Sequence, residues 1–162
     1  MLDTALAEEG GTELGARQLA RLRGLRVIAQ ADAGDEKLVR DAGAELFVAR
    51  DEDLVPAVRR LIPGGVDGAV DAANLAAGAA DAVRHGGAFV SLLHSAPQAR
   101  RQVRMANLAW YTDAERLAKL AAYAGAGLIS LRVARTYPLE RVGDAHEALA
   151  GGGLRGRIVL VP

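Results

Sequence analysis

The 162-residue chain carries 20 acidic and 20 basic side chains and no net charge, which gives a nucleic acid or an anionic membrane no global electrostatic hold on it. It has no cysteine, which excludes disulfides and thiolate-held clusters and leaves His85, His94, His146 and carboxylates as strong metal ligands; no metal site is expected. No apolar run approaches the roughly 20 residues of a membrane span, and Met1-Leu2-Asp3 lacks the basic-then-apolar order of a leader, so one soluble cytoplasmic domain is expected.

The chain opens with a short strand, Thr4 to Ala7, followed by the glycine pair Gly10-Gly11. A helix from Leu14 to Arg23 and a strand from Leu25 lead to Asp32. Strand, glycine turn, helix, strand and acid in this order is the pattern of a dinucleotide-binding βαβ unit. Gly10, Gly11 and Thr12 would let a diphosphate approach backbone amides at a helix start, and Asp32 would take a ribose hydroxyl. Glutamates at 8, 9 and 13 flank that turn and oppose an anion, so the segment specifies architecture more strongly than ligand.

The β-α rhythm then continues. Helices are expected over Asp35 to Ala42, from Asp53 to Ile62 and over Leu75 to Arg84, with His85-Gly86-Gly87 closing the last of these. Strands are expected over Ala44 to Val48, Val66 to Ala72 and Ala88 to Leu93. Consecutive parallel strands joined by helical crossovers make an α/β fold, a Rossmann-like doubly wound, mostly parallel sheet with helices on both faces, whose ligands lie beyond the C-terminal strand ends. Asp71 to Asn74 fall at one such end, with Ala72, Ala73 and Asn74 facing the crevice. Ser91, Leu92 and Leu93 fall at another.

After His94 the rhythm breaks. Gln102 to Leu108 reads as an edge strand, with Arg100, Arg101 and Arg104 as a solvated basic loop. Thr112-Asp113-Ala114-Glu115 reads as a capping box opening a helix with Leu117, Leu120 and Ala121 on one face. Leu128 to Val133 reads as a strand, Pro138 as the start of a last helix, and Arg157 to Val161 as a final strand. The whole is expected to be one domain, residues 1–162, with 134–162 as a helix-strand extension. His94 is the best-placed titratable group near the crevice, but no residue is assigned a catalytic role.

Several segments in this order resemble the cofactor-binding half of the medium-chain dehydrogenase/reductase superfamily, in particular its zinc-independent quinone-reductase type. They are Gln18-Leu19-Ala20-Arg21, Arg26-Val27-Ile28-Ala29, Val39 to Ala44, Val66 to Asp71 and Gly86 to Ser91. The tail adds Tyr137-Pro138-Leu139-Glu140, Ala145-His146 and Arg155 to Leu160. The resemblance implies a nicotinamide dinucleotide, NAD(P), as cofactor, and hydride transfer to a quinone or enone. Asp32 and Gly34 stand where related reductases carry a serine and an arginine for a 2′-phosphate, which favours NAD, although this type usually takes NADP.

Family members also begin with a further domain that shapes the substrate cleft, whereas this chain starts at the cofactor domain's first strand. Another chain would then have to complete the cleft. A homodimer through the edge strand at Gln102 to Leu108 is expected, since this superfamily commonly joins its sheets that way. A non-catalytic association module is the competing expectation. A methyltransferase-like domain binding S-adenosylmethionine is the third, because such enzymes also pair a glycine turn with an acid after the second strand.

Overall fold

The computed structural model describes residues 4–8, 13–109 and 111–162, with side chains described from Gly15 onward. Gly10, Gly11 and Thr12 therefore lie outside the described residues, and the expectations placed on them are not addressed by the fold.

Five strands alternate with helices: β1 (Thr4–Glu8), α1 (Glu13–Leu22), β2 (Arg26–Ala31), α2 (Glu36–Asp41), β3 (Leu46–Ala49), α3 (Leu54–Leu61), β4 (Val66–Asp71), α4 (Ala77–Ala82) and β5 (Val83–Ser91). A sixth, β6 (Arg104–Asn107), completes a six-stranded sheet ordered β3-β2-β1-β4-β5-β6. All its pairings are parallel. This is the expected α/β, doubly wound arrangement.

Burial explains why it forms. From Val27 to Ala31 every residue of β2 is buried, as a parallel strand covered on both faces requires. Successive residues point to opposite faces. Ile28 enters one core with Val48, Val58, Val83 and Phe89, and Ala29 and Ala31 enter a second with Val39 and Ala44. The alanines keep that second layer thin.

The C-terminal part is built differently. Helix α5 (Ala114–Gly125) is followed by β7 (Val133–Pro138), α6 (Val142–Ala150) and β8 (Arg157–Val161), and β7 and β8 pair in parallel as a separate two-stranded sheet. None of α5 is buried. Most exposed large apolar side chains fall in this part, among them Leu117, Leu131, Leu139 and Leu149. Among the described residues, side chains of α1 and of the loop after β2 tie it to the rest of the domain. Gln18 Nε2 donates to Ser130 Oγ at 2.7 Å while Ser130 N donates to Gln18 Oε1 at 3.0 Å, and Arg155 Nε lies 2.5 Å from Asp35 Oδ1.

Several boundaries differ from expectation for identifiable reasons. The helix expected over Leu75 to Arg84 is only Ala77–Ala82, because Val83 is drawn into the sheet opposite Val66 and buried there; His85, Gly86 and Gly87 then belong to an irregular strand start. Gly65, at φ +86, makes the matching entry into β4, where a Cβ would sit 2.6 Å from the Ala82 carbonyl oxygen. Strand β2 begins at Arg26, and β5 ends at Ser91, leaving Leu92 and Leu93 beyond it. Strand β6 cannot begin at Gln102, since Arg101 and Gln102 are left-handed at φ +53 and +55. Asp113, not Thr112, caps α5, accepting from Arg116 N at 2.9 Å. Leu128 to Arg132 is irregular; the strand begins at Val133, where β8 supplies a partner, and Pro138 ends it.

Candidate functional site

The strand order reverses between β1 and β4, so the crevice of a doubly wound sheet lies beyond their C-terminal ends. The described loops there are the ones after β4 and β5, held side by side because Asp71 pairs with Ser91 and Leu92 N donates to Asp71 O at 2.8 Å.

Asp71 organises the first loop. Its side chain is fully buried, and it accepts three backbone hydrogen bonds: Oδ1 from Ala73 N and Leu75 N, both at 3.1 Å, and Oδ2 from Ala76 N at 2.8 Å. A buried carboxylate is stable only with such compensation. Between those bonds the chain carries two non-glycine residues at positive φ, Asn74 at +64 and Ala76 at +46. Such conformations cost about 1–3 kcal/mol each and persist only where surrounding bonds hold them. The outcome is a tight turn with Ala72 and Ala73 half-buried and Asn74 exposed.

Ser91 does the same for the second loop. Its buried Oγ accepts from Leu93 N and Ser95 N, each at 3.1 Å, and shares a 2.9 Å hydrogen bond with Ser95 Oγ. The hydroxyl is therefore spent on the loop, and what this segment presents outward is Leu93 and the left-handed His94 at φ +58. Asn107 Oδ1 accepts Ala96 N at 3.0 Å and fastens the loop to β6.

Asp32 lies at the end of β2, on the far side of β1 from these loops. Its exposed carboxylate is 3.2 Å from Arg50 Nε, and Arg50 N donates to Ala31 O at 2.9 Å. The structure thus brings Ala72, Ala73, Asn74, Ser91, Leu92 and Leu93 together and sets Asp32 two strands from β4, an arrangement suited to an elongated ligand. Arg100 and Arg101 are not an open basic patch: each lies 3.2 Å from an Asp81 carboxylate oxygen, and they donate to the α4 carbonyls of Ala77 and Ala80. His85 caps no helix, and His146 lines an apolar groove of about 160 Å³ with Val142, Ala145, Leu149, Ile158 and Leu160.

Sequence reasoning placed Asp71 at a strand end without its acceptor role, and it missed Ser95 and Arg50. An acid closing a buried strand ahead of Ala-Ala-Asn was the available signal for the first. Nothing local marks Arg50, which meets Asp32 only because β3 lies beside β2.

Strand order and strand-end loops together define a doubly wound α/β domain of the Rossmann type. A family model described as zinc-binding dehydrogenase matches residues 42–160, and the chain belongs to that family, within the medium-chain dehydrogenase/reductase superfamily. AibC is 29% identical, with a TM-score of 0.88 over 99% of this chain and 53% of its own. An NAD-dependent alcohol dehydrogenase is 26% identical, with a TM-score of 0.86 over 99% and 51%. Mycobacterial Rv1454c complexed with NADPH is 26% identical, with a TM-score of 0.78 over 99% and 56%. The chain spans about half the length of these solved relatives.

Among the described residues no group of three or more histidine, aspartate or glutamate side chains is placed to hold a metal, and the sequence has no cysteine to add. Among the described residues no helix is long and apolar enough to cross a membrane.

Proposed function

We propose that residues 1–162 form a cytoplasmic, zinc-independent domain that binds a nicotinamide dinucleotide and contributes to hydride transfer with a quinone or enone once another chain completes the cleft. The observation that carries this is the position of Ala72–Asn74 and Leu92–Leu93: both segments lie at C-terminal ends of adjacent parallel strands beside the reversal in strand order, with Asp32 displaced along the same edge. The oxidoreductase relatives described as NAD-dependent and as complexed with NADPH support it.

A bound nicotinamide would supply or accept the hydride. The chain's own part is placement. Gly10, Gly11 and Thr12 would lie along the diphosphate and Asp32 would accept from a ribose hydroxyl. The turn held by Asp71 and the segment held by Ser91 would form a preorganised floor of backbone and apolar surface. Such a floor would exclude water from the face that it covers. Residues 134–162 form the helix-strand extension, on which Leu139 and Leu149 are exposed.

Calorimetric titration of the full chain with NADH and NADPH is the test. Saturable binding of either is expected, and no heat from either at millimolar concentration removes the proposal. Saturable heat from S-adenosylmethionine instead would move the domain to the transferases.

The exposed apolar side chains after residue 110 favour a second reading, an association module without turnover of its own. In either case a homodimer through β6 is proposed, because β6 is an edge strand of the six-stranded sheet and sheet edges are templates for pairing with another chain. Sedimentation showing only monomer at micromolar concentration would contradict the dimer. Steady consumption of NADPH with a quinone by the purified chain would refute the inert module.

A further inference from the structure

We infer that Ser95 is a specificity-determining residue of the crevice, its hydroxyl donating a hydrogen bond to a carbonyl oxygen of a quinone-type substrate. The inference rests on the reading above and names the side chain that meets the hydride acceptor.

The proton count around Ser91 decides it. A hydroxyl has two lone pairs and one proton to give. Ser91 Oγ accepts Leu93 N and Ser95 N, each at 3.1 Å, so both of its lone pairs are taken. Its 2.9 Å bond with Ser95 Oγ is then one in which Ser91 donates and Ser95 accepts. The proton of Ser95 is left over, and among the described residues no acceptor is placed for it. Ser95 is half-buried, which makes an unmet donor there costlier than at an open surface.

The donor is also held in place. Ser95 N is tied to Ser91 Oγ, and the next amide, Ala96 N, donates to Asn107 Oδ1 on β6 at 3.0 Å. Two residues before Ser95, across the left-handed His94, stands Leu93 with its side chain 54% exposed. The loop thus offers exposed apolar surface beside one unspent donor. A quinone is apolar over both faces of its ring and carries oxygens that accept without any group that donates, so it matches both features. As hydride reaches the ring, negative charge gathers on that oxygen, and a fixed donor strengthens its bond there. Ser95 keeps its proton throughout, and the reduced oxygen takes one from water.

The test is titration of menadione, and of 2-methylnaphthalene as the same ring skeleton without carbonyls, into the full chain, Ser95→Ala and Ser95→Thr. NAD is present throughout, the amide shifts of residues 92–96 are the readout, and thermal melts confirm that all three proteins are folded. The chain has no cysteine for the quinone to alkylate. Menadione is expected to bind about fivefold more weakly to Ser95→Ala and to recover in Ser95→Thr, with 2-methylnaphthalene unchanged. An equal loss for both compounds, no loss for either, or menadione that leaves those shifts unmoved overturns the role of Ser95. Calorimetric titration with NAD alone separates the two readings. NAD binding alongside an unchanged menadione affinity in the variants leaves the nucleotide reading standing, and no NAD binding to the unaltered chain overturns both.

Discussion

Asp71 Oδ2 accepts the Ala76 backbone N–H at 2.8 Å, closing a turn in which Ala76 itself sits at φ +46. The carboxylate is the fixed point and the strained backbone is what it fixes. Asp71→Ala would take the acceptor from three backbone donors that hold the strained turn, and should lower the unfolding free energy by about 3 kcal/mol. Asp71→Asn keeps one acceptor oxygen and should lose less. Urea denaturation of the two variants checks the order, and equal losses would mean that the one oxygen retained by asparagine does not hold the turn.

Gly87 makes a sharper steric prediction. A Cβ there would meet Val83 Cγ1 at 2.4 Å and the Asp67 carbonyl oxygen at 2.7 Å. Side chains can turn away; a ladder carbonyl cannot without parting β4 from β5. Gly87→Ala should cost about 2 kcal/mol or more, and a melting temperature equal to the unaltered chain's would show that the strands separate freely.

Glu52 carries a pH signature. The hydrogen bond from Arg60 holds its carboxyl below the usual carboxylate range, and the Ala49 N–H adds to the effect. A depressed carboxyl contributes stability that is present above its unfolded value and is lost as pH falls through the lowered, folded one. The difference in stability between the unaltered chain and Glu52→Gln should therefore exist at neutral pH and vanish in acid. Melts across that range in low salt check it; a difference that grows as pH falls would reverse the sign.

The exposed apolar side chains after residue 110 are testable without any ligand. Leu131 is 79% exposed and Leu149 61%, so changing both to serine removes little buried contact. Stability should stay within about 0.5 kcal/mol, while binding of an apolar fluorescent dye falls. Loss of folding in this variant would mean that these side chains are already covered.

The alternation of strands and helices was legible because β2, β4 and β5 each hold a short apolar segment, Val27 to Ala29, Ala69-Val70 and Ala88 to Val90, bounded by glycine or polar residues, and because small residues fit closely spaced layers. Asp32 was legible for its place after β2. What escaped depends on distance along the chain. Alanine richness promised a helix to Arg84, yet Val83 gains more by pairing with Val66 than by one further helical turn. Leu128 to Arg132 has a strand-like composition but no partner beside it. Arg50 carries no mark of its role until the parallel register of β2 and β3 sets it against Asp32.

The fastening of Arg155 to Asp35 has a mechanical consequence. Asp35 is almost wholly enclosed and lies three residues after Asp32 on the same short helical turn, where Asp35 N donates to Asp32 O at 2.8 Å. A load on the small terminal sheet is thus delivered to the loop bearing the acid after β2, through one guanidinium. Arg155→Ala should release that loop, seen as faster amide exchange at residues 33–36, and unchanged exchange there would show that the coupling carries no force. A protein seated on the terminal sheet would then be felt at the Asp32 end of the crevice.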